Sequence, residues 1–436
     1  MAHNHAQGFG YGQALAGFLL TVWAYCLGRK RLSQVPLALF CIAVALVSTV
    51  PVALGESPLR ASPAVTYNRY GYALLALLLI EAFQGWRVFQ RRDRFWAGFS
   101  TGAVIAILLF LKITYFACAI FLLVALLACQ RQTKHRWTGL VTGFGAFVIA
   151  FCAYFRFDMA PMAHDLMLLS RARHFWFDYR VGAIFQDALL LAVFAAVAAL
   201  LLYARKEREG ARSIAIGGVA VAIAGALVIF GNNELSGFPL AVFLTIIIVD
   251  RVNVLRSTSS SLFHAAVLLL GSAFIIGSFA SSAIGMSNGL YRSLWKARAE
   301  PRMDSKLLTG FIPAGAGEAY TEFVNDGLRL VKQYRQPGET VMCLGFSNPF
   351  SYGLGIPPAP GGTTVMQYRS TFDDTHRQSP QQLFGKADLV MLPKLSSSPD
   401  SGDSIHRLYV PYLKKHFRAI GKSRFWFLYR RDGEAR

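Results

Sequence analysis

Apolar runs recur along the first two thirds of the chain, at about 12–28, 35–54, 68–86, 97–129, 137–155, 186–203, 213–231, 236–250 and 262–284. A run of roughly 20 apolar residues is long enough for a helix to cross a bilayer. Short basic clusters punctuate the runs: RKR, RVFQRRDR, QRQTKHR, RKEREGAR and RVNVLR. Basic loops favour the cytoplasmic face, so all five are placed on that side. The pattern predicts a mainly helical, polytopic membrane domain over 1–284, with roughly nine to ten spans. The N-terminus, the loop 156–185 and everything after about residue 285 then lie outside.

From residue 285 the pattern changes. GEAYTEFVNDGLRLVKQYRQPGE carries Phe323, Leu328 and Val331 at helical spacing and stops before Pro337-Gly338. TVMCLG (340–345) and DLVMLPK (388–394) read as buried strands, and SIHRLYVPYLKKHF (404–417) as a helix despite Pro411. RAIGKS and RFWFLYRR (424–431) read as a terminal hairpin. Alternating helices and strands predict a small soluble α/β domain over 285–436. The loop GFSNPFSYGLGIPPAPGG (345–362) has no glycine spacing for a nucleotide; it reads as a surface loop or as a lid over a membrane cavity.

The run 97–129 is unusual. LLFLKITYF (108–116) places Lys112 near its middle, with no other charge from Ala97 to Cys129. An unpaired ammonium in hydrocarbon costs about 2.5–3.5 kcal/mol on insertion scales. Basic clusters flank the run on both sides, so it must leave the cytoplasmic face and return. Its length gives about 50 Å of helix, between the roughly 30 Å of one span and the roughly 60 Å of two. We therefore expect two short helices, about 97–111 and 113–129, turning at Lys112 beside an outward-facing watery cavity. The simpler alternative is a lysine that snorkels to the outer interface.

Composition agrees with this class. Of 436 residues 54% are hydrophobic and 16% charged, where a soluble chain carries about 25% charged residues. The net charge of +20 is spread through loop clusters, so it points to anionic lipid head groups and not to nucleic acid. Six cysteines form no CxxC pair, and no metal-ligand spacing stands out, so no cofactor is expected; a divalent cation is left open, since the sequence does not indicate one.

The outer loops supply the candidate chemistry. RFDMAPMAHDLMLLSRARHFWFDYR (156–180) holds Asp158, Asp165, Arg171, Arg173 and His174, with apolar residues at helical spacing. It reads as an amphipathic helix in the outer interface. Arg171, Arg173 and His174 could hold a lipid phosphate or serve as interface anchors. TYNRYGYALL (66–75) puts Tyr67 and Arg69 at the outer mouth of the third span, and GNNELSGFPL (231–240) puts Asn232, Asn233 and Glu234 in an outer turn. With Lys112 and Tyr115 these groups describe a cationic, aromatic mouth suited to a greasy tail with a phosphate head.

WAGFSTGAVIAILLFLKITYFACAIFLLVALL resembles a segment of the GT-C membrane glycosyltransferases, a helix, a Lys-containing break and a second helix. That group includes the protein O-mannosyltransferases and the lipid A aminoarabinose transferases. The resemblance implies an inner-membrane enzyme that moves a sugar from a polyprenyl-phosphate donor to an acceptor glycan, lipid or protein on the outer face. In it Lys112 would hold the donor phosphate, with Arg69, Arg171, Arg173 and His174 nearby. A carboxylate would act as general base on the acceptor hydroxyl. The C-terminal domain would be extracytoplasmic.

One departure matters. In the family the acid lies in the first outer loop, after a span that starts in the cytoplasm. Here residues 1–11 hold His3 and His5 but no Asp or Glu. Either a span and loop precede this sequence, or Asp158 or Asp165 replaces the acid, or the chain is a non-catalytic partner in polysaccharide or envelope assembly. A transporter is a third class, for which no repeated segment is visible.

Overall fold

A computed structural model describes residues 6–50, 66–83, 90–129, 133–160, 162–164, 166–167, 180–204, 207–231, 239–254, 262–294, 302–308, 317–362, 365–369, 371–395 and 399–432. The chain divides into two compact units, one of 12–158 with 175–292 and one of 1–11, 159–174 and 293–436.

The first unit is helical. Its elements are α1 (Ala6–Gly28), α2 (Gln34–Thr49), α3 (Thr66–Ala82), α4 (Arg91–Leu111), α5 (Ile113–Cys129), α6 (Lys134–Tyr154), α7 (Arg180–Ala204), α8 (Arg208–Gly231), α9 (Pro239–Val254) and α10 (Leu262–Leu294). Among the described residues four helices are long and apolar enough to cross a membrane: Arg91–Leu111, Lys134–Tyr154, Arg208–Val228 and His264–Tyr291. Shorter apolar helices cover Gln34–Thr49, Ile113–Cys129 and Leu191–Tyr203. Several boundaries move from the expectation. Helix α1 begins at Ala6, and α10 runs through the polar-flecked MSNGLYRSL to Leu294, because small and polar residues do not break a helix that lacks proline.

Helix α3 is the axis of this unit, with every residue from Gly71 to Phe83 buried. Beside it α4 and α6 meet through paired small-residue motifs, Gly98-x-x-x-Gly102 and Gly139-x-x-x-Gly143. A Cβ on Gly98 would strike the Arg136 carbonyl, and one on Gly102 the Leu140 carbonyl. Reciprocally, Gly139 and Gly143 abut the carbonyls of Phe95 and Phe99. The contacts advance together along both helices, so α4 and α6 run parallel, backbone on backbone, as small residues permit. Further along, Phe110 stacks on Phe151 with ring centroids 4.6 Å apart. Helix α5 must return between them.

Polar contacts fix the helix ends. Lys30 pairs with Asp93 at 2.7 Å, joining the end of α1 to the start of α4. The Ser33 N–H and hydroxyl donate to Asp250, joining the start of α2 to the end of α9. Glu81, at the end of α3, pairs with Arg136 near the start of α6 at 3.2 Å and accepts from the Thr101 hydroxyl at 2.8 Å. Arg29, Lys30, Arg31, Arg91, Arg92, Arg94, Arg136 and Arg251 thus gather at one end of the bundle.

The C-terminal unit carries a four-stranded sheet ordered β1-β2-β4-β3, with β1 (Val341–Cys343), β2 (Leu389–Pro393), β3 (Phe417–Lys422) and β4 (Trp426–Arg431). β1 and β2 are parallel; β4 runs antiparallel to both β2 and β3. Helix α11 (Gly317–Tyr334) contributes Val324, Leu328 and Val331 to a core shared with Phe350 and Trp426. On a second core, α14 (Pro399–His416) packs Tyr409 and Leu413 around Phe384, which ends α13 (Pro380–Phe384). The expected α/β layering and terminal hairpin are present.

The loop after β1 differs from expectation. Its centre is a helix, α12 (Pro349–Leu354), capped by the Asn348 side chain, which accepts from the Phe350 N–H at 3.2 Å. Gly355, at φ 65°, ends it. Phe350 is fully buried and meets Trp426 edge to face at 4.9 Å. The segment read as a surface loop or lid is anchored at its centre in the domain's own core.

Candidate functional site

Lys112 is the single residue between α4 and α5. Its backbone is extended (φ −169°, ψ 127°). Its N–H closes α4 on the Leu108 carbonyl at 3.0 Å, and its carbonyl accepts from Tyr115 and Phe116 at 3.0 and 3.1 Å to start α5. One residue therefore ends one helix and opens the next, with neither glycine nor proline. The break falls where the lone charge in the apolar run placed it.

The side chain is held by the first turn of α3. Lys112 Nζ donates to Asn68 Oδ1 at 3.1 Å and lies over the Tyr67 ring, 4.8 Å from its centroid. Asn68 is fully buried, whereas Tyr67 is 42% exposed, so the ammonium has one face toward protein and an aromatic neighbour at an open edge. Such a cation is oriented before any ligand arrives, by an amide oxygen on one side and an aromatic ring on the other.

The other expected residues fall into three groups. Arg69 is buried and donates through Nη1 to the Val50 carbonyl, tying the start of α3 to the end of α2. Tyr115 is fully buried, packed edge to face on Tyr72 at 5.4 Å beneath Gly71, whose missing side chain makes room for its ring. It is a core residue and lines no opening, because the first turn of α5 faces α3. Asp158 is exposed, just beyond a turn in which Arg156 and Phe157 have φ of 55° and 60°. Because α4 and α6 are parallel, that turn lies at the same end of the bundle as Lys112. Asp165, Arg171, Arg173, His174, Asn232, Asn233 and Glu234 lie outside the described residues.

Asn68 was missed in the sequence, although it lies between the two residues singled out there, Tyr67 and Arg69. A second missed feature is a cavity of about 670 Å³ at the opposite, basic end of α4. In the C-terminal unit a hollow of about 240 Å³ at the end of β2 is lined by Lys394, Asp403 and His406. Among the described residues no group of three or more His, Cys, Asp or Glu side chains converges as for a metal ion. Comparison with protein-family models, with curated proteins and with solved structures returned no match for this chain.

Proposed function

We propose that this chain is a membrane glycosyltransferase of the GT-C kind, with roughly nine to ten spans and its basic helix ends in the cytoplasm. It moves a sugar from a polyprenyl-phosphate donor to an acceptor glycan, lipid or protein at the outer face. One observation supports this best: an oriented lysine at a one-residue helix break, held by Asn68 and Tyr67. In the reaction the acceptor oxygen bonds to the anomeric carbon as the bond from that carbon to the phosphate oxygen breaks. The electron pair leaves with the polyprenyl phosphate, whose growing charge Lys112 offsets. The acceptor proton passes to a carboxylate; Asp158, exposed at that end of the bundle, is the described residue suited to this role.

The test is binding of undecaprenyl phosphate to the purified full-length protein in detergent. A charge-assisted hydrogen bond to phosphate contributes about 1.5–3 kcal/mol, so Lys112→Ala weakens binding by roughly ten- to a hundredfold. Lys112→Arg retains part of it. Undiminished binding by a folded Lys112→Ala protein rejects the assignment.

A further inference from the structure

At the end of α4 remote from Lys112, about 30 Å along the helix, the chain builds a second site. A cavity of about 670 Å³ opens between α1 and α4, with Phe147 of α6 at its side. Ligand pockets commonly fall between about 300 and 1,000 Å³. Its polar rim holds four cations, Arg29, Lys30, Arg31 and Arg92, and one carboxylate, Asp93. Lys30 pairs with Asp93 at 2.7 Å, and Arg31, 4% exposed, donates to the Leu27 carbonyl at 2.6 Å, so the rim's exposed arginines are Arg29 and Arg92.

Deeper in, the wall is aromatic. Trp23, Trp96, Phe99 and Phe147 line it, and Trp96 is 53% exposed. Trp23 is held in place by its indole N–H, which donates to Ser100 Oγ at 2.9 Å. Cations at a rim and aromatic rings along a wall that descends beside apolar helices match one ligand shape, an anionic head on apolar chains. A free phosphate would leave the aromatic wall unused.

We propose that this cavity binds the phosphodiester head of an anionic glycerophospholipid, with its acyl chains against Trp96, Phe99 and Phe147. The proposal rests on the membrane reading of the bundle but not on the transfer chemistry at Lys112. Arg29 and Arg92 carry the electrostatic part; Trp23 and Trp96 set the depth of the head group.

The test uses the full-length protein in neutral detergent, with bound lipid counted by native mass spectrometry. Cardiolipin binds more tightly than phosphatidylcholine. An Arg29→Gln/Arg92→Gln variant weakens cardiolipin binding about 25-fold, from about fivefold per basic residue at a lipid surface. Arg91→Gln/Arg94→Gln removes two exposed charges from the same helix start but outside the cavity, and loses clearly less, about fivefold or below, because these charges act on the head group only through a screened field and not by contact. Equal losses in both variants mean diffuse surface charge and overturn the proposal. Millimolar inorganic phosphate that displaces cardiolipin also overturns it, as does an absence of preference over phosphatidylcholine. A second readout needs no variant. Cys26 is exposed and lines the cavity, so cardiolipin slows its alkylation by N-ethylmaleimide, and an unchanged rate overturns the assignment. Loss of undecaprenyl phosphate binding in Lys112→Ala leaves this site intact, so the two readings fail separately.

Discussion

The crossing of α4 and α6 makes a sharp prediction at Gly102. A Cβ there would strike the Leu140 carbonyl oxygen, with Phe144 N at 2.6 Å and Leu140 C at 3.0 Å. All three are backbone atoms, so no side chain can turn aside. Ordinary contact begins near 3.4 Å and the Leu140 oxygen lies far inside that distance, so the helices must part locally by more than an ångström. A gap of about 0.5–1 Å forfeits roughly a quarter to a half of the dispersion energy across the seam. Overpacking of this kind costs about 1–3 kcal/mol, against about 0.5–1 kcal/mol regained by replacing a helical glycine with alanine. Gly102→Ala therefore lowers stability by about 1 kcal/mol net, and by up to about 2.5 kcal/mol where the backbone yields least. Gly145 provides the internal control. It lies on the same α6, but a Cβ there meets nothing within 4 Å. Gly145→Ala should stabilise by about 0.5–1 kcal/mol. The assay is loss of helical circular dichroism on titration with sodium dodecyl sulfate, in one detergent for all variants. A Gly102→Ala protein as stable as the parent, or a Gly145→Ala protein equally destabilised, refutes the close backbone crossing.

Two further outcomes follow from charged groups. Glu81→Gln leaves the Arg136 guanidinium, 8% exposed, beside a neutral partner; removing one member of a buried pair costs about 3–5 kcal/mol. The double Glu81→Leu/Arg136→Met variant should lose less than either single variant in the same titration, and additive losses would refute the pairing. In the C-terminal unit, burial alone would push the Asp373 carboxyl up, but hydrogen bonds from the His376 and Thr375 N–H groups and the Thr375 hydroxyl hold it well below the usual carboxylate range. A depressed folded value means the stabilisation is fully present above the unfolded value, about 3.9, and is lost as pH falls below it. Asp373→Asn should flatten the loss of thermal stability below about pH 4; parallel profiles for the two proteins would exclude the effect.

The break at Lys112 was legible because a single charge in a long apolar run between two basic clusters admits few solutions. The terminal hairpin and both buried strands were legible from alternation and from short apolar runs. The α4–α6 seam was written in the sequence as two glycine pairs at a spacing of four. It went unread because spacing does not say which helices meet. Helix α12 was hidden by the glycines and prolines around it, although Asn348-Pro349 is itself a helix start. The Glu81–Arg136 pair joins residues 55 apart, a separation that no local pattern reports. Tyr115 was assigned to an opening because it neighbours Lys112, whereas helical rotation carries it into the core.

Helix α5 has 17 residues and α2 has 16. They are about 26 and 24 Å long, shorter than the roughly 30 Å of a typical hydrocarbon core. A bilayer meeting such short helices thins around them, at a cost of fractions of a kcal/mol per ångström. If the bundle spans a bilayer as proposed, thinning at α5 draws the head-group level toward its Lys112 end, and the ammonium lies in a shallow dimple. On the proposed function, a lipid-borne phosphate entering that dimple would keep its chain in hydrocarbon while its head descends. Membrane thickness becomes a control variable: lipids with longer acyl chains deepen the dimple and raise the cost of exposing Lys112.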